Sequence, residues 1–395
     1  MTGKPIEETI VSNRSFFEVP AASLDPVRKT MSDRIRIARG LCIFFMTFVH
    51  VPPGLEENVG RDIGVFDLVC FALSRMVGLS SVSLLSVVSG YFIVSSLAKA
   101  GTGPLFLSKL KTLVVPLAAW NLLTLALLAF YGLLRGKWQD MPDLTVPGMA
   151  DALFALTEWP LDVPLWFLRD LFVCCLFSPL LYVALKRVPV ATILLLVAYT
   201  LFGEDLYVLQ RPQLMLFFAL GMWLRISRTA EPVIDGLARR LLPGLIVMAA
   251  LYMVLKVEDV SFGDMHDTLR LTLDTLLRIT MAAGFWLLTD VVRRSRFATA
   301  FLRFEPYAFF LFCSHAILFH FAAMVFRRFF GNYGSDLFAI TFFTLPCLAV
   351  VAAVIGLQAI NGSRPLLFLF NAGHGVEPWR KAAGSDAQAA RSRAG

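Results

Sequence analysis

Long apolar segments separated by short polar stretches fill most of this chain. A helix needs about 20 apolar residues to cross the hydrocarbon layer of a membrane, so we predict that these segments are spans. Their predicted bounds are 38–52, 75–98, 111–134, 164–185, 188–203, 212–226, 240–256, 269–291, 305–326 and 337–360. The fifth and sixth are short enough to be tilted spans, re-entrant segments or one hairpin. Residues 63–78 are apolar but contain Asp67 and Arg75, which favours an additional interfacial helix.

This pattern predicts an all-α polytopic membrane protein, with about ten transmembrane helices in one bundle. The composition agrees: 57% of the residues are hydrophobic, 16% are charged and the mean hydropathy is +0.69, which is outside the range of soluble domains. We divide the chain into a cytoplasmic N-terminal segment (1–37), an integral membrane domain (38–362) and a disordered cytoplasmic tail (363–395). No basic start with an apolar stretch precedes the first span, so no signal peptide is expected.

Basic residues alternate with acidic residues from one loop to the next. Lys and Arg precede the first span and follow the second, fourth, sixth and eighth, whereas Asp and Glu dominate the intervening loops. Basic loops stay in the cytoplasm, so both termini are expected there. The net charge of +7 is therefore explained by topology, and we expect no nucleic-acid partner.

The six cysteines all lie within apolar segments, without the spacing of metal ligands. We interpret them as small packing residues and expect neither disulfides nor a metal site.

Two strongly polar side chains, Arg39 and His50, lie on the first apolar segment, eleven residues apart. On an ideal helix they fall within roughly 20° of the same face and about 16 Å apart along the axis. An ionisable group at membrane depth costs free energy, so such a pair indicates function. An imidazole moves protons near neutral pH, and a guanidinium binds phosphate or an oxyanion. By topology, Arg39 lies near the cytoplasmic face and His50 near the outer face.

Each of the two also has a plainer interpretation. His50 can be an interfacial residue that ends the helix before Pro52 and Pro53. Arg39 can be an anchor that extends to lipid headgroups, a role that fits Arg34 and Arg36 better because both precede the apolar run. The facial match between Arg39 and His50 favours function.

Opposite charges also recur along the eighth span, at Asp267, Arg270, Asp274 and Arg278. Their spacing of three and four residues places them on one helix face. Charges in lipid must pair or face water, so an ion-paired structural ladder is favoured over a substrate groove. The same alternatives apply to Arg169 and Asp170 in the fourth span.

The Arg39-x10-His50 pattern resembles the signature of the membrane-bound acyltransferase family 3. Four other stretches resemble elements of that family in the same order: Ser89-Gly90-Tyr91-Phe92-Ile93, Lys109-x-Lys111 with Pro116 and Trp120-Asn121, Pro164-Leu165-Trp166-Phe167-Leu168, and Tyr307 to His315. Two positions depart from its pattern. Arg36 lies near the place of the family's acidic residue, and Glu305-Pro306 replaces a small polar residue.

The resemblance implies an inner-membrane O-acyltransferase with acyl-CoA, either acetyl-CoA or succinyl-CoA, as the cytoplasmic donor. The implied acceptor is a hydroxyl of a cell-surface or secreted polysaccharide or of a lipid-linked glycan, and membrane lipids are the other partner. His50 would be the general base and Arg39 would bind donor phosphate or an anionic intermediate. The substrate-binding candidates are Ser89, Tyr91, Lys109, Lys111, Trp166, Arg169 and His315. The alternative is a transporter or flippase of a glycolipid or polysaccharide precursor; nothing specific favours a sensor or scaffold.

Overall fold

The computed structural model describes residues 26–51, 64–136, 138, 141–203, 206, 208–258, 260, 265–331 and 335–377. These residues form helices and contain no strand, which confirms the predicted all-α membrane fold. The helices are α1 Pro26–Thr47, α2 Val65–Ala100, α3 Thr102–Arg135, α4 Val146–Phe154, α5 Trp166–Arg187, α6 Pro189–Phe202, α7 Gln213–Ile226, α8 Glu231–Val257, α9 Asp267–Arg294, α10 Ala298–Phe330, α11 Asp336–Ile360 and α12 Arg364–Phe370. A 3₁₀ turn, Phe48–His50, extends α1.

Each of the ten predicted spans overlaps a helix in the described part of the chain, although α1 begins twelve residues before the predicted start of the first span. Seven helices are long and apolar enough to cross a membrane: α2, α3, α5, α8, α9, α10 and α11. The apolar helices α6 and α7 have 14 residues each, and the first half of α1 carries charged residues. The number of spans, about ten, therefore stays a prediction.

The structure corrects two predicted boundaries. The interfacial helix expected over 63–78 is instead the first part of α2, which continues through a π-helical segment, Ala72–Gly78. The tail expected from residue 363 begins with α12, which packs on the bundle: the Trp120 indole donates to the Phe370 carbonyl at 3.1 Å. Residues 1–25 and 378–395 lie outside the described part.

Helix α1 lies at the centre of the bundle, where it packs against α2, α9 and α10. Its buried residues include Ile37, Cys42 and Met46, so the helix is enclosed by protein along most of its length. All six cysteines are free; five of them are buried, as expected of packing residues, whereas Cys347 is exposed.

Helices α2 and α7 approach each other at backbone contact. A Cβ on Gly90 would overlap the Phe218 carbonyl, and a Cβ on Gly221 would overlap the Val87 carbonyl. Small residues permit this close approach between helices in a membrane. Gly90, the centre of the Ser-Gly-aromatic stretch, is therefore a packing residue.

Arg34 is the charged centre that joins three helices. Its side chain is 1% exposed, and its guanidinium donates to Glu231 at 2.7 Å and Asp235 at 2.8 Å. It also donates to the Thr289 hydroxyl at 3.1 Å and the Trp286 carbonyl at 3.0 Å. The guanidinium lies 4.0 Å from the centre of the Trp286 ring. These contacts join α1 to α8 and α9.

The snorkelling role favoured for Arg34 in the sequence is therefore wrong. A side chain that extends to lipid headgroups stays exposed, whereas this guanidinium is enclosed by protein. Its burial is tolerated because two carboxylates and two oxygen acceptors satisfy its donors.

The charged column on α9 is tied to neighbouring groups in the described structure. Asp267 pairs with Arg270 at 2.8 Å, and Asp274 accepts a hydrogen bond from the Tyr252 hydroxyl at 2.6 Å. Arg278 donates to the Leu79 carbonyl of α2 at 2.8 Å. The column thus holds α8, α9 and α2 together, in agreement with the structural alternative.

We expect Arg34→Ala to destabilise the protein strongly. Removing one partner of a buried ion pair leaves uncompensated charge and costs about 3–5 kcal/mol. Thermal unfolding of the purified protein in detergent should show a clear loss of Tm. Arg294→Ala is the matched control, because Arg294 is 71% exposed in its pair with Asp290 and such pairs contribute about 0–1 kcal/mol. Equal Tm values for the two variants would contradict the assignment.

We expect Gly90→Ala to lower Tm as well, because its methyl group must displace the α7 backbone. Overpacking of this kind costs roughly 1–3 kcal/mol. The control is Gly236→Ala in α8, where an added Cβ meets open space; this change should be neutral or stabilising, since alanine favours helix. Thermal unfolding of both variants in detergent tests the close approach of α2 and α7. An unchanged Tm in Gly90→Ala would refute it.

Candidate functional site

The predicted catalytic residues lie at different depths of α1 and have different surroundings. His50 lies in the 3₁₀ turn that ends the helix, and Arg39 lies about three helical turns earlier. The tighter turn rotates His50 by roughly 20° per residue relative to an ideal α-helix. Ser74 of α2 donates to the Phe48 carbonyl at 3.2 Å and so satisfies one acceptor that the helix end leaves open.

The structure brings His50 against a second histidine, His315 of α10. The two ring centres are 5.1 Å apart and the ring planes are inclined by 62°. His315 is completely buried, and its Nδ1 lies 3.1 Å from the Leu311 carbonyl and 2.9 Å from the Phe312 carbonyl. In the ring and polar contacts of the described residues, His50 and His315 are the one pair of candidate residues that touch each other.

Arg39 forms an ion pair with Glu305, which lies about two turns into α10. Its Nη1 lies 2.6 Å from Glu305 Oε1, while Arg36 Nε lies 3.3 Å from Oε2 of the same carboxylate. The Glu305 side chain is 11% exposed, whereas that of Arg39 is 43% exposed. One carboxylate thus holds two partly exposed guanidinium groups, and this arrangement leaves a net positive charge that can receive an anion.

The sequence alone did not identify Glu305 as the partner of Arg39. An acidic residue at the start of an apolar segment is as unusual as an arginine there. This unusual position of Glu305 is the one feature of the sequence that could have indicated its pairing. The carboxylate missing beside Arg39 in the sequence is thus supplied by another helix.

Arg169 connects loops at the other end of the bundle. It pairs with Asp170 at 2.9 Å and donates to the carbonyls of Ala155, Leu156 and Val208. The Asp170 carboxylate accepts from the backbone amides of Gln210 and Arg211. In the contacts of the described residues, Arg169 therefore has a structural role: it holds the loops before α5 and α7 on α5. Trp166 begins α5 and contacts Trp159, with ring centres 6.1 Å apart.

Ser89 and Tyr91 lie near the crossing of α2 and α7. The Ser89 hydroxyl donates to the Leu85 carbonyl of its own helix at 2.8 Å. Arg225 of α7 donates to the Tyr91 hydroxyl at 3.2 Å, and the Tyr91 ring lines an apolar cavity of about 370 Å³. Neither residue contacts His50 in the described hydrogen bonds.

Lys109 and Lys111 lie in the first part of α3, around a π-helical segment, Leu110–Val114. Lys109 is half-buried and Lys111 is exposed. Neither lysine contacts His50 or His315 in the hydrogen bonds and ion pairs of the described residues.

Asp162 is a buried acid that the sequence did not single out, because it lies in a polar loop before α5. Its side chain is 3% exposed, and its Oδ2 has no hydrogen-bond partner among the described residues. Burial raises the pKa of this carboxyl well above its usual value. Its backbone amide donates to the Asn121 side chain at 3.0 Å, which fixes the loop on α3.

Comparison with known proteins identifies a domain family and one relative. An acyltransferase domain matches residues 32–360, a range that contains Arg39, His50, Glu305 and His315. The succinoglycan biosynthesis protein ExoH of Rhizobium meliloti (strain 1021) is 27% identical over 344 residues, covering 85% of this chain and 90% of that protein. No solved structure matches the chain.

The chain has a helical bundle with apolar helices long enough to span a membrane, a contact between two histidines, and a domain match over most of its length. It therefore belongs to the acyltransferase family that this domain defines, and it is a membrane acyltransferase.

Proposed function

We propose that this acyltransferase moves an acetyl or succinyl group from a cytoplasmic acyl-CoA to a hydroxyl of a cell-surface or secreted polysaccharide. We place it in the inner membrane with both termini in the cytoplasm. The observation that carries the proposal is the contact of His50 with His315. This contact lies at one end of α1, and Arg39 lies towards the other end of the same helix. The related ExoH supports a polysaccharide acceptor, since it is named for succinoglycan biosynthesis.

In this reaction His50 acts as the general base. It removes the proton of the acceptor hydroxyl as the oxygen attacks the thioester carbonyl, and a tetrahedral oxyanion forms. The oxyanion collapses, the carbon–sulfur bond breaks, and the proton passes to the leaving thiolate. A positioned general base contributes about 10²–10⁴-fold to the rate.

Arg39 binds the phosphate part of the donor. Its guanidinium is partly exposed and already holds one carboxylate oxygen, so the geometry for binding an oxyanion is in place. The spacing of Arg39 and His50, about 16 Å on an ideal helix, fits an extended donor whose phosphate and thioester lie at different depths.

We expect His50→Ala to remove acyl esters from the surface polysaccharide while polymer export continues. The reason is loss of the base, which should lower transfer by about 10²-fold or more. The ester content of purified polysaccharide from complemented cells measures the effect, with polymer yield recorded in parallel. His320→Ala is the matched control, because His320 is an exposed imidazole on α10.

Two outcomes would count against this proposal. Normal ester levels in His50→Ala would exclude the catalytic role of His50. Reduced export with intact esterification would favour a transporter of the glycan precursor instead.

We expect Arg39→Ala to raise the KM for the acyl donor by roughly tenfold to a hundredfold, because a charged hydrogen bond contributes about 1.5–3 kcal/mol. Arg39→Lys should recover part of this loss, since lysine keeps the charge but not the bidentate geometry. Initial rates with labelled acetyl-CoA and succinyl-CoA in membranes measure the effect. Arg187→Ala, an exposed arginine at the end of α5, controls for general attraction of a polyanion. An unchanged donor KM in Arg39→Ala would exclude this role.

A further inference from the structure

The imidazole of His315 has a hydrogen-bonding pattern that fixes its tautomer. Its Nδ1 lies within hydrogen-bond distance of two carbonyl oxygens of its own helix, at Leu311 and Phe312. Carbonyl oxygens accept hydrogen bonds and cannot donate them, so Nδ1 carries the proton. In the neutral ring, the lone pair is therefore on Nε2.

The Nε2 atom lies on the side of the ring away from these carbonyls. It is buried and has no hydrogen-bond partner among the described residues. The contacts around the ring are edge-on, with His50 at 5.1 Å and Phe319 at 5.8 Å between centres. A buried acceptor without a partner costs about 1–3 kcal/mol. A residue that served packing alone would avoid this cost with an apolar side chain.

His50 is close enough to be the partner of this lone pair during the reaction. The two rings are in edge-to-face contact with 5.1 Å between their centres, a separation at which ring nitrogens turned towards each other lie within hydrogen-bond distance. The two carbonyls that bind Nδ1 also favour a positive charge on His315, because hydrogen bonds to an ionised donor are stronger.

We propose that His315 is a second catalytic residue, whose Nε2 receives the proton that the acceptor hydroxyl gives up. The inference rests on the proposed function. The hydroxyl proton moves to one nitrogen of His50, and the proton on the other His50 nitrogen moves to His315 Nε2. His315 becomes an imidazolium while the alkoxide oxygen forms the new carbon–oxygen bond. When the carbon–sulfur bond breaks, the proton returns by the same route to the thiolate, and both rings are neutral again.

Two substitutions separate this role from a structural one. His315→Asn keeps an amide N–H at the place of Nδ1, able to donate to the carbonyls, but removes Nε2. His315→Gln places its amide near the position of Nε2, loses the bond to the carbonyls, and has no basic nitrogen. Relay catalysis predicts that both variants lose at least tenfold in kcat with little change in the donor KM. A structural role predicts that His315→Asn stays active.

The assay uses membranes with labelled acetyl-CoA and succinyl-CoA in turn, and His320→Asn as the matched control. Thermal unfolding in detergent verifies that each variant is folded. If His315→Asn does not fold, the activity of His315→Gln tests the relay instead. The double variant His50→Ala/His315→Asn supplies an independent readout. Residues that act as one unit are non-additive, so it should be no slower than His50→Ala alone.

The outcomes distinguish this inference from the proposed function. Wild-type protein that labels no polysaccharide overturns the proposed function, and the relay falls with it. Wild-type transfer that is lost in His50→Ala but stays within threefold in His315→Asn overturns the relay alone. Multiplicative losses in the double variant would also overturn it.

Discussion

The burial of the Arg34 guanidinium among Glu231, Asp235 and Trp286 is the interaction on which the rest of the structure depends. A charge enclosed by apolar helices is tolerated only when its donors are satisfied, so α8 and α9 must lie in one position relative to α1. This constraint places α1 at the centre of the bundle. It also fixes the helix that carries Arg39 and His50, five and sixteen residues further along.

Charge neutralisation also explains the arrangement around Arg39. Glu305 reaches it from α10, the helix that carries His315 ten residues later. The same two helices, α1 and α10, thus contact each other through an ion pair at one depth and through the histidine pair at another. A shift of α10 along α1 would disturb both contacts together, so the ion pair helps to hold the imidazoles in register.

The glycine contact between α2 and α7 shows how a sequence motif can have a packing explanation. Gly90 and Gly221 bring the two backbones together, and this places Tyr91 beside Arg225 and the apolar cavity. Ser89 bonds to its own helix. The motif therefore fits a structural role in these contacts, whereas the polar groups that we propose for chemistry belong to α1, with its 3₁₀ turn, and α10.

The sequence by itself determined the membrane class and the positions of the helices, and it marked Arg39 and His50 as candidates for function. These features follow from local composition, because apolar length sets a span and an ionisable residue within one is costly. Tertiary structure alone decided which charges meet. Arg34 looked like a headgroup anchor but is buried, and Glu305 looked like a departure from a family pattern but pairs with Arg39. His315, assigned to substrate binding by resemblance, lies against His50. The physical reason is that these ion pairs and ring contacts join residues that are far apart in the sequence, such as Arg34 with Glu231 at 197 positions and Arg39 with Glu305 at 266, and their formation depends on how the helices pack.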